Sequence, residues 1–292
     1  MKRVLVTGAA GMLGSELLRR VPSGVHALGT DLVTRDGLDV PGLDLADAAA
    51  VDAAWATQGP FDGVIHGAAW TAVDLAEEKP ADAARANTDA CRVLAAKCAA
   101  TGARLVVVST DFVFDGRKTS PYGESDRENP LSVYGKTKRD GELAALAAHP
   151  RATMVVRTQW LYGPRGKHFP RTIAGFARSK GALKVVDDQI GAPTSTLELA
   201  PALWDVLAKG ETGVYHAACA GSCTWFELTR ELCARLGLAH VELTPCTTAD
   251  FPRPAARPAY SVLDSSKLAR LRGRPMADWR AALADYLVCE KL

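Results

Sequence analysis

The sequence predicts an α/β protein, with a doubly wound parallel sheet and a smaller, mostly C-terminal α/β domain. Three observations lead there. Short, β-branched, uniformly apolar runs alternate with segments of helical spacing through residues 1–160, as strands buried on both faces of a parallel sheet require. A glycine-rich turn, Gly8-Ala-Ala-Gly11-Met-Leu-Gly14, follows the first such run and opens the first helix. The second run ends in Asp31, near the ~20-residue distance at which dinucleotide-binding sheets place an acid against a ribose. Together these are the marks of a Rossmann sheet.

In chain order, Arg3-Val-Leu-Val-Thr7 reads as a buried strand. Met12 to Val21 reads as a helix with Leu13, Leu17, Leu18 and Val21 along one side. Gly8 allows a tight turn, Gly11 lets backbone approach a pyrophosphate, and Gly14 lets the helix pack close to the strand. Met12 and Leu13 open that helix, whose unpaired N–H groups and dipole favour phosphate. The second strand, Val25 to Thr30, presents Asp31. A carboxylate there accepts from a 2′-hydroxyl and repels a 2′-phosphate, which favours NADH. Arg35, four residues later, is the feature that admits NADPH, so both cofactors stay open.

Asp44-Leu45 opens a helix over Ala46 to Ala56, with Asp44 as its cap, and both residues are assigned to the cofactor site. Asp62 to His66 is the next strand, running into Gly67-Ala68-Ala69-Trp70-Thr71. Small residues there let a cofactor lie on bare backbone, which assigns Ala68, Ala69 and Thr71 to it. One long alanine-rich helix is expected over about Pro80 to Ala100, then the central strand, Leu105 to Val108. Thr153 to Arg157 adds a strand ending in Thr158-Gln159-Trp160. Residues 1–160 are thus expected to bind the dinucleotide and 161–292 mainly the substrate, with 195–218 packing back on the first domain.

In the second part the spacing predicts helices at Phe169–Ser179, Leu197–Leu207, Trp225–Leu236, Ser265–Leu271 and Met276–Leu287. Strands are expected at Leu183–Val186 and Val214–His216, with a polar loop over Asp187–Thr194. A proline-rich loop, Phe251 to Pro258, carries Arg253 and Arg257, whose guanidinium forks suit a diphosphate.

The chemistry concentrates between Ser109 and Lys138. Ser109-Thr110-Asp111 follows the central strand, where open α/β sheets bind ligands. Tyr134 and Lys138 are four apart, on one face of a helix. A free tyrosine titrates near ~10, and a lysine beside it is expected to pull that value toward neutrality. A hydroxyl at Thr110 or Ser109 can hold a substrate oxygen against the phenol. This set fits a carbonyl reductase. The Tyr-x-x-x-Lys spacing alone also describes many surface helices; the glycine turn is what favours the chemical reading.

Composition narrows the field. With a net charge of +2, 48% hydrophobic and 23% charged residues, and no run of like charge, nucleic acid and membrane surfaces are not expected partners. The amino-terminal apolar run is too short for a signal peptide or a spanning helix. Seven scattered cysteines without metal-ligand spacing suit free thiols in a reducing cytoplasm.

Seven segments carry a resemblance: Val4-Leu-Val-Thr-Gly-Ala-Ala-Gly11, Ala68-Ala-Trp-Thr-Ala-Val73-Asp74, Ser109-Thr-Asp-Phe-Val-Phe-Asp-Gly116, Pro130-Leu-Ser-Val-Tyr-Gly-Lys-Thr-Lys138, Arg157-Thr-Gln-Trp-Leu-Tyr-Gly163, Asp188-Gln-Ile-Gly-Ala-Pro-Thr194 and Arg257-Pro-Ala-Tyr-Ser-Val-Leu-Asp264. In this order they resemble the dTDP-4-dehydrorhamnose reductases, within the extended short-chain dehydrogenase/reductases. The resemblance implies catalysis by Thr110, Tyr134 and Lys138, with Lys138 also on the nicotinamide ribose. It implies sugar contacts from Asp111, Phe112 and Trp160; Val73, Asp74, Arg253 and Arg257 are assigned to the substrate site beside them. The implied reaction is NADPH- or NADH-dependent reduction of the 4-keto group of a dTDP-4-keto-6-deoxy-L-sugar, by a protein that could be a homodimer. His66, Gly67, Gln159, His168 and Tyr260 stand where the family more often has other residues. Some members bind Mg²⁺ just after the Gly-Ala-Pro-Thr loop; Ser195-Thr-Leu-Glu198 here has one shifted acid, so no metal is expected.

Two other readings share the scaffold. A sugar-nucleotide dehydratase or epimerase needs acid and base groups beside the tyrosine, and Phe112 stands where similar dehydratases carry Glu. A non-catalytic cofactor-binding regulatory subunit has no need of a proton donor.

Overall fold

Seven strands, all parallel, form the central sheet. Their spatial order is Gly213–His216, Thr153–Thr158, Arg104–Thr110, Gly63–His66, Arg3–Thr7, His26–Asp31, Val40–Pro41. The computed structural model describes residues 1–290. The strand order reverses at Arg3–Thr7, so a crevice opens beyond the carboxyl ends of Arg3–Thr7 and Gly63–His66, where such sheets bind ligands.

Period-two alternation sends side chains to both faces of the sheet. Val4, Val6, Ile65, Val106, Met154 and Val156 join Leu17, Leu199, Leu203, Trp204 and Leu268 on one face. These partners come from the helices Met12–Arg19, Thr196–Lys209 and Ser266–Arg272. Leu5, Val64, Leu105, Val107 and Val155 join Trp55, Leu94 and Ala145 on the other, under Ala48–Gln58, Ala90–Thr101 and Val133–Ala148. Each buried Leu or Val contributes roughly 1.5–3 kcal/mol, so the two-layer burial dominates the fold's stability. Helix Thr196–Lys209 reaches across to the first helix, where Trp204 Nε1 donates to Leu17 O at 3.2 Å. A separate cluster of Tyr162, Leu228, Leu232, Trp279, Leu283 and Tyr286 organises the C-terminal part.

Several elements differ from the sequence expectation. The helix expected over about Pro80 to Ala100 is three pieces: Pro80–Ala84, a π-helical turn at Arg85–Asp89, and Ala90–Thr101. The wide turn lets buried Asn87 bond sideways. Its Oδ1 accepts from Trp70 N at 2.9 Å and its Nδ2 donates to Thr137 Oγ1 at 3.1 Å. Asp47, not Asp44, caps the second helix by accepting from Ala49 N at 2.9 Å. A strand at Glu242–Cys246 was not foreseen, because Pro245 and exposed side chains obscure its pattern; it pairs in parallel with Ala182–Val186. The polar loop after Val186 holds two-residue strands at Ile190–Gly191 and Thr194–Ser195. The last helix begins at Trp279 rather than Met276. No helix among the described residues is long and apolar enough to cross a membrane.

Candidate active site

The sheet's carboxyl ends open onto one cleft of about 1350 Å³. At one end lies bare backbone. Gly8 has φ +70°, and a Cβ there would sit 2.8 Å from Ala68 N; a Cβ on Gly14 would sit 2.1 Å from Gly8 O. Neither position tolerates a side chain, and the surface left is the cradle a dinucleotide pyrophosphate requires. Gly11, Met12 and Leu13 line it, as do Asp31, Asp44, Leu45, Ala68, Ala69 and Thr71. Asp31 Oδ2 accepts from Ala10 N at 3.0 Å, so the acid steadies the glycine loop while facing the cleft. Thr7 Oγ1 accepts from Ala68 N at 3.2 Å and pairs with His66 Nδ1 at 2.8 Å, which fixes the opposite loop. Arg35 does not line the cleft. Its guanidinium donates to Ala10 O at 3.4 Å from an exposed position, because the chain after Asp31 carries it over the outside of the loop. Asp44 bonds Arg85 at 2.5 Å.

The helix Val133–Ala148 presents Tyr134 and Lys138 to the same cleft. Its start is held from two sides: Glu77 Oε1 accepts from Val133 N at 2.8 Å, and Ser132 Oγ accepts from Gly135 N at 3.1 Å. Gly135 permits the approach to the central strand's end, since a Cβ there would lie 2.3 Å from Phe112 O. The Phe112 and Tyr134 rings meet edge-on with centroids 5.5 Å apart. Thr110 Oγ1 accepts from Phe112 N at 3.2 Å and donates to Asp111 Oδ1 at 3.0 Å.

The electrostatics differ from the expectation. Burial pushes the Tyr134 phenol up to about 12; the Thr110 hydroxyl opposes this and Asp111 adds to it. Lys138 is not among the groups that shift it. Its ammonium donates to Val108 O at 2.7 Å, and burial lowers its pKa, with Cys91 and Glu142 opposing. The buried phenol therefore keeps its proton at neutral pH. Burial also raises Asp111 to about 6, opposed by the nearby hydroxyls of Ser261 and Thr110, of which Thr110 donates to Oδ1 at 3.0 Å. Its Oδ2 is buried without a partner.

At the cleft's other end the structure gathers Val73, Asp74, Trp160, Arg253 and Arg257 with residues the sequence did not single out: Phe169, Ile173, Lys184, Gln189, Trp225 and Thr248. Arg257 is spoken for, its NH1 and NH2 donating to Asp74 at 2.8 and 2.9 Å. Trp160 has φ 46°, a left-handed conformation that costs a bulky residue on the order of 1–3 kcal/mol and is found mainly at functional sites. Its ring stacks on Trp225 with centroids 3.6 Å apart and planes 10° apart. The aromatic pattern Trp160, Phe169, Trp225 was the one signal that could have joined these residues beforehand.

A parallel sheet with a glycine cradle at its switch point and a Tyr-x-x-x-Lys helix beside it defines an oxidoreductase of the extended short-chain dehydrogenase/reductase class. Residues 1–291 match the family model described as the RmlD substrate binding domain. The chain belongs to the dTDP-4-dehydrorhamnose reductase family. It is 44% identical over 293 residues to a probable dTDP-4,6-dihydroxy-2-methyloxan-3-one 4-ketoreductase from Streptomyces antibioticus, covering 97% of this chain and 94% of that one. A dTDP-4-dehydrorhamnose reductase from Clostridium acetobutylicum superimposes with TM-score 0.91 at 38% identity, covering 99% of this chain and 100% of that one. One from Bacillus anthracis, solved with NADP, does so with TM-score 0.91 at 32% identity, covering 99% of each.

Proposed function

We propose that the protein reduces the 4-keto group of a dTDP-4-keto-6-deoxy-L-sugar with NADPH or NADH, in deoxysugar nucleotide biosynthesis. The observation that carries this reading is the convergence of Thr110, Tyr134 and Lys138 with the glycine cradle on one cleft. A bound reduced nicotinamide would supply the hydride. Tyr134, holding its proton at neutral pH, gives it to the oxygen on carbon 4. Thr110 hydrogen-bonds that oxygen when its hydroxyl turns from Asp111 Oδ1, its acceptor in this structure. Lys138, whose ammonium donates to Val108 O at 2.7 Å, lines the same cleft and would hold the nicotinamide ribose. Phe112 lines the cleft beside Tyr134 and cannot exchange a proton, which favours reduction over dehydration. Arg253, in the cleft wall, is the arginine available to the substrate diphosphate, whereas Arg257 is engaged by Asp74. The seven free cysteines among the described residues, six of them buried, support a reducing compartment such as the cytoplasm. The reading admits a homodimer.

The test is incubation of the purified protein with dTDP-4-keto-L-rhamnose and each reduced nicotinamide, with the product identified by NMR. A 4-hydroxy-6-deoxy sugar nucleotide supports the reading; recovery of unchanged keto sugar with both cofactors rejects it.

A further inference from the structure

Trp160 projects from beyond the strand Thr153–Thr158 in a left-handed conformation, and something must hold its ring in place. Three features do so. Gly191 leaves room for the indole edge, since a Cβ there would lie 2.5 Å from Trp160 Cε2. Trp225 covers the ring by stacking, and Phe169 leans on Trp225 with centroids 4.4 Å apart. Gly191 and Trp225 are in turn fixed to each other, because Ile190–Gly191 pairs antiparallel with Cys223–Thr224, immediately before Trp225.

Trp225 is itself anchored by polar groups. Its Nε1 donates to Gln189 Oε1 at 3.0 Å, Gln189 Nε2 donates to Thr248 Oγ1 at 2.9 Å, and Thr248 Oγ1 donates to Asp188 Oδ1 at 2.6 Å. The preceding residue, Thr224, closes a capping box with Glu227 and donates to Asp187 Oδ1 at 2.5 Å. Trp225 is thus the first residue of a capped helix, bound to a loop that is bound to a second loop. Such rigidity exceeds what a surface aromatic needs, and a ring held by locked neighbours is how sites keep a reactive geometry.

We infer that Trp225 is a positioning residue for the sugar end of the cleft: it holds the Trp160 ring in its left-handed setting, and the Gln189–Thr248–Asp188 chain holds Trp225. Trp160 then presents a flat apolar wall to a deoxysugar. The inference rests on the proposed function, since it needs a sugar nucleotide in the cleft, but its readout is binding rather than turnover.

The experiment compares dissociation constants for dTDP-L-rhamnose, dTDP and NADPH, measured by calorimetry on wild type, Trp225→Ala, Trp225→Phe and Gly191→Ala. Loss of one aromatic stack should weaken dTDP-L-rhamnose about tenfold in Trp225→Ala, leaving dTDP and NADPH within about threefold. Trp225→Phe, which keeps a stacking face, should stay within about threefold of wild type for all three. Gly191→Ala, which pushes on Trp160 from the other side, should reproduce the selective loss even if Trp225→Ala fails to fold. Wild-type affinity for dTDP-L-rhamnose in both Trp225→Ala and Gly191→Ala would overturn the inference, as would equal losses for dTDP and dTDP-L-rhamnose. A wild-type protein that binds no dTDP-L-rhamnose would instead reject the proposed function.

Discussion

Arg257 grips Asp74 with both terminal nitrogens, at 2.8 and 2.9 Å. The pair joins the helix Val73–Glu78, whose start lines the cleft, to the proline-rich loop that carries Arg253. Arg257 holds the Asp74 carboxyl below its ordinary range, with bonding from Ala255 and the charge of Arg253 adding. A depressed carboxyl contributes stability above its unfolded pKa and loses it as pH falls through the folded value. The clasp is therefore complete at neutral pH and opens only as pH falls below the ordinary carboxylate range.

Asp74→Asn should weaken this clasp. Both side chains are partly exposed, at 33% and 21%, so the cost is modest, about 1 kcal/mol. The melting temperature should fall by about 2 °C, while the KM for the sugar nucleotide rises and the affinity for the nicotinamide cofactor stays unchanged. Parallel losses in both substrates would mean that the pair only supports the fold.

The proton donor is tested by Tyr134→Phe. The substitution removes one oxygen and keeps the ring that meets Phe112. Cofactor binding, followed by fluorescence titration, should persist while turnover falls by ~10²-fold or more. Unchanged turnover would remove Tyr134 from the mechanism.

Cofactor choice turns on Asp31. Asp31→Ala deletes an acceptor for the adenosine ribose and a charge that repels a 2′-phosphate, so the KM for NADH should rise about tenfold and that for NADPH much less. Because Asp31 also accepts from Ala10 N, a small shared loss is expected. Equal losses would mean that the carboxylate steadies the loop and does not read the ribose.

Asp111 carries a pH signature. Burial raises its carboxyl to about 6, so between about 4 and 6 the folded state holds a proton the unfolded chain releases, and stability falls as pH rises. Asp111→Asn should abolish that fall and stabilise the protein at pH above about 6 by up to roughly 3 kcal/mol. His66 and His216, both held down to about 3 by burial, give the opposite slope in both proteins and cancel in the difference. Denaturant melts across this pH range that show a constant wild-type-to-variant difference would refute the raised carboxyl.

Much of this was legible in the sequence because it is local. The glycine turn, the strand-end residues Thr110 and Asp111 and the four-residue step from Tyr134 to Lys138 each lie within one element and its flank, and the sheet brings them to one cleft. The π turn was not legible, since its alanine-rich surroundings keep helical periodicity and the reason for it lies on another helix, at Thr137. Nor was the anchoring of Trp225, whose bonds to Gln189 and from there to Thr248 span 36 and 59 residues. The pairing of Arg257 was not legible either, because its partner, Asp74, lies 183 residues away. The Tyr134 shift was misjudged because burial, which depends on the whole fold, outweighs the nearby lysine.

The most direct test of the account is stoichiometry with two substrates. Phe112 offers no proton beside Tyr134, so the protein should consume one reduced nicotinamide per dTDP-4-keto-6-deoxy-L-sugar, followed by absorbance, and should leave dTDP-glucose untouched with NAD⁺ present. Conversion of dTDP-glucose to a 4-keto sugar with no net change in cofactor would contradict the reductase reading.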